Sequence, residues 1–455
     1  MAQYIKRTLV TGTPLLAGLF TEHLLYIADS VMVGRLGTEH LAAIAIAALF
    51  AEILWCILLP IAPGTQSLAS RRHGKQEIIA EKDLTAEHYK EVGEVFDNSI
   101  LVSVITGAVV FFIACFSHDI LILLFEDKRI IQLAESYIRI IKWVMPVATI
   151  YYSAYGFLSA VNLTKVVMVV SLEINLLNIG FNYLLIYGKL GLPQLGIEGA
   201  AWGALLAHIL GVAHLLIIIL SSKKIKKYQC LRFNRIQPRL LLDIAKVTAP
   251  VATQELAALS VFLLFESIVS KIGILYLAIT HIVFSVCEFN RTIVGGFAKG
   301  ASILIGNCLG RGERKEAVRF AYASEVIAFC VGTVILFVVL FFPSLVVQIF
   351  NSDAETVAAG SAALRFFAVF FFIEIMGFSF EIIFSHNGWG RYVLFSEFST
   401  NMIFMLGITF YLTAILNKGI YGAWTGFALY IVFHACILFA GFMSQKWLDV
   451  QVETE

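Results

Sequence analysis

Residues of one type recur in this chain at a single fixed offset that spans about half its length. Pro14 and Pro250, Gly64 and Gly300, and Gly74 and Gly310 each stand 236 residues apart. The text around them agrees: GTQSLASRRHG (64–74) aligns with GASILIGNCLG (300–310). A second echo, IEGAAWG (197–203) and IYGAWTG (420–426), recurs at 223, so the first copy carries 13 more residues (236 − 223) between these markers. A repeat this long restricts the fold to a duplicated bundle, with any functional site inside or between the copies.

The material of each copy is apolar. The chain is 59% hydrophobic and only 14% charged, with mean hydropathy +0.85. Soluble domains carry about 25% charged residues, and no soluble fold hides this much apolar surface. In a bilayer that surface faces lipid, and an apolar helix needs about 20 residues to cross. Twelve stretches qualify: 8–34, 41–66, 97–123, 132–160, 166–188, 197–221, 244–270, 275–305, 318–348, 360–386, 392–415 and 419–445. The expected fold is therefore all-α and integral to the membrane. Twelve transmembrane helices form two pseudo-symmetric six-helix lobes, 1–221 and 244–455, joined by 222–243. An even number of spans per copy preserves topology, so the lobes should be related by a pseudo-twofold axis along the membrane normal.

Lysine and arginine fall mostly in the even-numbered connections, including Arg71, Arg72 and Lys75, the run from Lys223 to Arg239, and Arg311, Arg314 and Lys315. This bias puts both termini in the cytoplasm of a multi-pass protein of the cell inner (plasma) membrane. The basic segment 222–243 reads as a solvated cytoplasmic linker, and 75–96 as a polar helix on the same surface. The first apolar run is too long for a signal peptide and carries Glu22 and Asp29.

Several function classes drop out. A net charge of +1, with no basic patch interleaved with aromatics, gives no purchase to nucleic acid. The seven cysteines are scattered without a CxxC or ligand spacing, so they read as thiols with neither disulfide nor metal. GRGERKE (310–316) has neither Walker spacing nor a following strand, so an ATPase is not expected. No nucleophile, base or metal cluster gathers at one depth, so an enzyme is not expected, nor a cofactor. The partners expected are membrane lipids and small molecules, and the chain is expected to act as a monomer.

Charges inside the spans cost about 2.5–3.5 kcal/mol each on the insertion scale, so those that remain mark the site. In 8–34, Glu22, Tyr26 and Asp29 share one helical face through spacings of 4 and 3. In 166–188, Asn175, Asn178 and Asn182 do the same. Both spans run outward, with Asp29 and Asn182 about 7 and 9 Å from their outer ends at ~1.5 Å per residue. The faces can therefore meet in the outer half of the first lobe. A carboxylate with amide oxygens and a phenol suits a proton, or a small hard cation such as Na⁺ held by Asp29, Asn178 and Asn182. In the second lobe, Glu255 with Gln254, and Glu374, stand near mid-depth without an evident local partner and are candidates for coupling or substrate binding. Glu288 and Arg291, three apart, are expected to neutralise each other. Glu266 and Glu381 lie near span ends and are expected to snorkel, as is Lys299. His208, His214, His281 and His434 read as helix–helix hydrogen-bonding groups. The phenylalanines of FFAVFFFIEIMGFSFEIIF either face lipid or wall a site for flat cations.

These pieces resemble one family. PLLAGLFTEHLLYIADSVMVGRLGTEHLAA (14–43) is similar to the first-span signature of multidrug and toxic compound extrusion (MATE) transporters of the NorM-like branch. The likeness continues in GTQSLASRRHG, in NIGFNYLLIYGKLGLPQLGIEGAAWG (178–203) and in GASILIGNCLGRGERKEA (300–317). The resemblance implies a twelve-helix, V-shaped antiporter that exports organic cations and drugs against inward H⁺ or Na⁺, its lobes rocking between two access states. Its first-span acid falls on Asp29 and its fifth-span polar pair on Asn178 and Asn182. Some relatives carry Asp where Asn182 stands, and some a sixth-span Thr where Gly203 and Ala204 stand. The acids of the seventh and tenth spans have Glu255 and Glu374 as their nearest counterparts, and Asn387-Gly388 replaces the usual Arg-Gly. The competing reading is a lipid-linked oligosaccharide flippase of the same superfamily, which should line its cavity with basic residues. Proton coupling is favoured over sodium, because the sequence offers no certain second carboxylate beside Asp29.

Overall fold

The computed structural model describes residues 1–79, 85–125, 127–232 and 236–453. Residues 80–84 of the polar segment 75–96, and 233–235 of the basic segment, lie outside the described residues. The chain is built of helices, with no strand among the described residues. In order they are α1 (Ala2–Gly34), α2 (Thr38–Leu58), α3 (Ile61–Glu77), α4 (Ala86–Cys115), α5 (Ser117–Leu124), α6 (Lys128–Ile141), α7 (Val144–Ala160), α8 (Thr164–Tyr187) and α9 (Ile197–Ser221). There follow α10 (Lys223–Lys226), α11 (Pro238–Ile272), α12 (Ile274–Gly310), α13 (Arg314–Phe341), α14 (Pro343–Phe350), α15 (Ala354–His386), α16 (Gly390–Thr400) and α17 (Gly419–Ser444). Beyond α16 the chain winds on in wider π turns over Asn401–Ile408 and Tyr411–Ile415.

Among the described residues, ten helical stretches are long and apolar enough to cross a membrane. The two other crossings expected from sequence are 132–160, which α6 and α7 cover with a break between Ile141 and Val144, and 244–270, which lies inside α11.

Two compact units emerge. The first comprises Ala17–Ala252, Gly306–Gly312 and Val452–Glu455; the second comprises Met1–Leu16, Thr253–Ile305 and Glu313–Gln451. Each has its own apolar core. In the first, Leu54 and Leu58 of α2 and Ile138 of α6 pack with Val144 and Met145 of α7. In the second, Phe367 and Phe371 of α15 meet Phe265, Trp424 and Phe427. That inward packing takes part of the phenylalanine run into the core, while Phe366 on the same helix stays 39% exposed. Trp424 donates its indole N–H to Thr280 Oγ1 at 3.0 Å, so the one polar atom of that buried ring is satisfied.

The repeated glycines have a physical reason. A Cβ added to Gly74 would lie 2.0 Å from the Asn307 carbonyl oxygen, and one added to Gly310 would lie 2.1 Å from the Arg71 carbonyl oxygen. Arg71 and Asn307 are themselves 236 apart, so the same backbone-to-backbone crossing of α3 and α12 is made twice. A Cβ added to Gly64 would lie 2.1 Å from Thr248 Oγ1, and one added to Gly300 would lie 2.6 Å from Gly12 Cα; Gly12 and Thr248 are again 236 apart. Only a hydrogen side chain permits such approach.

The basic segment is not simply solvated. Tyr228 is 2% exposed, and Gly93 of α4 lies so close that its Cβ would stand 2.0 Å from the Tyr228 carbonyl oxygen. The buried Asp97 carboxylate accepts the backbone N–H groups of Leu231 and Arg232, the latter at 2.9 Å. Asn98 Oδ1 accepts the Gln237 N–H at 2.8 Å. Lysine heads can stay in water while the backbone between them is tied to α4. Among these lysines, Lys227 lies over the rings of Tyr89 and Tyr228 at 4.6 and 5.0 Å.

Candidate functional site

In the first unit, α1 and α8 run side by side in the same direction and are joined by a polar seam. Asn175 Nδ2 donates to Thr21 Oγ1 at 2.9 Å, Asn182 Nδ2 donates to Asp29 Oδ1 at 2.7 Å, and the Tyr187 hydroxyl donates to the Met32 carbonyl at 2.9 Å. At the lower end, Gly18 lies against Ser171, whose hydroxyl shares a 2.6 Å hydrogen bond with Tyr151. Spacings of three and four on each helix make this possible, since they keep every polar group on the shared face. The contact between Asp29 and Asn182 is short because its acceptor is able to carry charge.

The asparagines are more buried than the acid. Asn178 is 3% and Asn182 0% exposed, and the side-chain carbonyl oxygen of each has no hydrogen-bond partner. Gly203 of α9 fixes where Asn182 can be: a Cβ there would lie 1.9 Å from Asn182 Oδ1. The seam therefore holds one carboxylate, two satisfied amide N–H groups and two unsatisfied carbonyl oxygens, all within the spans. Unsatisfied buried acceptors cost about 1–3 kcal/mol each, so a site that keeps them is prepared for a donor or a cation.

Glu22 and Tyr26, placed by their spacing on the same face as Asp29, are exposed, Tyr26 by 60%. They still belong to one electrostatic neighbourhood, because Tyr26 stands in the field of Glu52, Asp29 and Glu22. Glu52 of α2 was not among the sequence candidates. It is an acid eleven residues into the 41–66 span, so the rule that picks out Asp29 applies to it equally. Tyr137 stands in the field of Asp29 and Tyr26, while Tyr151, Tyr152 and Tyr155 stand in that of Glu22. The YYSAY motif of 151–155 carried that signal without being read. Glu173, which points away from the Asn175 face, pairs with His214.

In the second unit, Arg291 of α12 gathers the acids. Its guanidinium lies 3.6 Å from Glu288, 3.4 Å from Glu374 and 3.8 Å from Glu381, and stacks over the Phe378 ring at 4.5 Å. The expected Glu288–Arg291 pair is present, but it is part of a larger set. Glu374 does have a partner, Arg291, supplied by a helix distant in sequence. Glu381 does not snorkel: it is 6% exposed and accepts Gln254 Nε2 at 2.8 Å. Its burial follows from that amide and from Arg291, which together replace water. Glu266, read as a snorkelling residue, lies 3.9 Å from His281. Glu255, next to Gln254, is exposed and shares the field of Glu381 and Arg291. Two further acids escaped the sequence reading, Glu397 of α16 (3% exposed) and Glu325 of α13 (7% exposed). Both sit inside expected spans and were legible by the same cost rule.

Both copies of the repeat match one family description: the MatE family model covers residues 14–184 and 250–411. A protein of Agrobacterium fabrum described as a "probable multidrug resistance protein NorM" is 23% identical over 326 residues, 71% of this chain and 68% of that protein. Its namesake from Photorhabdus laumondii is 22% identical over 446 residues, 96% of this chain and 94% of that protein. Among solved structures, an outward-facing multidrug resistance MATE family transporter of the MOP superfamily superposes with TM-score 0.88 at 18% identity, over 98% of this chain and 97% of that one. A MOP superfamily transporter from Pyrococcus furiosus does so with TM-score 0.87 at 19% identity, over 98% and 97%.

Proposed function

Because this chain belongs to the MatE family, we propose that it is a secondary active antiporter that exports small organic cations, and that a proton carried inward by Asp29 drives the export. The observation that carries the reading is the seam of Asp29 with Asn182 and Asn178. An ionised carboxylate is acceptor-only, and in that state Asp29 accepts the Asn182 amide N–H at 2.7 Å. A protonated carboxyl is a donor, and the unsatisfied carbonyl oxygens of Asn178 and Asn182 are acceptors in the same seam. Protonation therefore changes the hydrogen bonds open to Asp29, and with them how α1 is held on α8. A ligand moves an equilibrium only through such differential contacts.

Sodium would use the same oxygens. It also needs a compact shell of several more, and a second carboxylate strengthens one. Glu22 is two helical turns from Asp29, about 10 Å along the axis. A proton needs a single carboxyl and no further ligand.

For the substrate, acids beside aromatic rings favour cations. Glu22, Glu52 and Asp29 with Tyr26, Tyr137 and Tyr151 supply both charge and ring faces in the first unit. Glu255, Gln254 and Glu374 supply the second unit's candidates, where Arg291 and Lys299 stand against Glu255, Glu288, Glu374 and Glu381. A flippase for pyrophosphate-linked sugars calls for the opposite sign. The working halves are 1–221 and 244–455 with 222–243 between them, and the lysine and arginine bias supports cytoplasmic termini in the inner membrane.

The test is Asp29→Asn in proteoliposomes, which removes the titration and keeps the shape. Efflux driven by a pH gradient should be abolished while the protein inserts and melts as the wild type does. Efflux at the wild-type rate would sink the assignment.

A further inference from the structure

The second unit holds a group of side chains that the transport reading leaves unused. Glu381 of α15, Glu397 of α16 and His434 of α17 each bring one ligating atom to within 4.8 Å of the others. All three are buried, at 6%, 3% and 6% exposure. No other group of three such residues with this closeness occurs among the described residues. Each is also held from behind. Gln254 Nε2 donates to Glu381 Oε1 at 2.8 Å, the Tyr430 hydroxyl donates to Glu397 Oε1 at 3.4 Å, and Ser396 Oγ lies 3.1 Å from His434 Nδ1. The remaining atoms are left over. Glu397 Oε2 and His434 Nε2 are buried without a hydrogen-bond partner, and Nε2 lies 3.5 Å from Glu381 Oε2.

We propose that Glu381, Glu397 and His434 form a binding site for one divalent transition-metal ion of the zinc class.

Three arguments support the ion over other occupants. The first is charge. Two carboxylates and a neutral imidazole carry −2, which a divalent cation balances, whereas a proton on His434 balances one carboxylate only. Arg291, 3.8 Å from Glu381, is divided between that acid, Glu288 and Glu374, so one guanidinium does not make up the difference. Uncompensated charge this deep is costly. The second is ligand chemistry. An imidazole among carboxylates suits zinc and its neighbours, whereas calcium and magnesium prefer oxygen alone. The third is the outer shell. When Nδ1 donates to Ser396, the lone pair of His434 is fixed on Nε2, the atom facing the carboxylates. Tetrahedral ligands at bonds of ~2.1 Å stand about 3.4 Å apart, so the 4.8 Å group closes on an ion by rotamer adjustment. Three protein ligands leave one position for water. An ion there ties α15, α16 and α17 together.

The experiment uses the full chain, purified without a histidine tag, stripped with EDTA and kept in detergent. Cobalt(II) is titrated and followed by its visible ligand-field absorption, then displaced with zinc. One cobalt per chain is expected, displaced by zinc and not by magnesium. Glu397→Gln and His434→Gln should each weaken cobalt binding by at least tenfold. Ser396→Ala should weaken it by about ten- to a hundredfold, the usual cost of losing an outer-shell partner. Glutamine keeps the volume of glutamate, and each variant's gel-filtration profile and melting curve in EDTA report whether it folds. Absence of saturable cobalt and zinc binding to the wild type would leave His434 as a proton-sharing group and overturn the proposal. Binding that folded Glu397→Gln and His434→Gln retain unchanged would overturn it too.

Discussion

Gly203→Ala reaches the Asp29–Asn182 seam without touching a titratable group. A Cβ at Gly203 would stand 1.9 Å from Asn182 Oδ1, 3.0 Å from its Cγ and 2.9 Å from its backbone nitrogen. Non-bonded heavy atoms rest at roughly 3.5 Å, so the amide oxygen has to retreat by about 1.5 Å. The close backbone nitrogen means that turning the side chain alone does not relieve the clash. Asn182 is 0% exposed, so the displaced amide cannot relax into solvent. Its Nδ2 moves with it, and the 2.7 Å bond to Asp29 is lost. A hydrogen bond to a charged group is worth about 1.5–3 kcal/mol, which is about 10- to 150-fold at 1.4 kcal/mol per decade. Overpacking α8 against α9 adds ~1–3 kcal/mol of destabilisation. The assay is substrate efflux from proteoliposomes under an imposed pH gradient, normalised to inserted protein. Gly203→Ala should lower the rate by about one to two decades while the protein still inserts. The control is Gly180→Ala on α8, between the two asparagines, where a Cβ meets nothing within 4 Å. It should transport as wild type and melt slightly higher, because alanine favours the helix by ~0.5–1 kcal/mol. A well-inserted Gly203→Ala with wild-type efflux would refute the link between Asn182 and coupling.

Other consequences concern the rest of the chain. Asp97→Ala removes the acceptor of the Leu231 and Arg232 N–H groups, so trypsin should cut around Lys223–Lys227 faster than in the wild type; unchanged protection would mean that other contacts hold the segment. Asp353 caps α15, accepting the Thr356 N–H and hydroxyl at 3.0 Å each, and these bonds hold its carboxyl below the usual aspartate range. The stabilisation it gives is thus present above the unfolded value near ~3.9 and is lost as pH falls through the lower folded value. Asp353→Ala should melt lower than wild type at about pH 7, with the gap closing in strong acid; a gap independent of pH would contradict the capping role.

Asp29 and Asn182 were legible because charge and amide are rare in apolar runs, and because spacings of three and four put them on faces that could meet. Periodicity gives an angle around a helix, not the neighbour it meets. That is why Glu22 and Tyr26, correctly placed relative to Asp29, turn out exposed rather than packed in the seam. Glu381 was misread for a similar reason. Its place near the end of 360–386 invites snorkelling, but the residues that bury it, Gln254 and His434, come from helices far along the chain. The lysine run of 222–243 concealed an anchored backbone, since charge density says where side-chain heads go and nothing about the N–H groups between them. The repeat was visible as an offset, yet its cause, the paired crossings of Gly74 with Asn307 and of Gly310 with Arg71, is a contact between distant segments.

The claim at the centre of this account is that a proton, taken up at Asp29, powers export. The direct test is organic-cation efflux from proteoliposomes holding the wild-type chain, driven first by a pH gradient without sodium and then by a sodium gradient at clamped pH. The account predicts efflux under the pH gradient alone, absent in Asp29→Asn. Efflux driven by the sodium gradient and not by the pH gradient would contradict it.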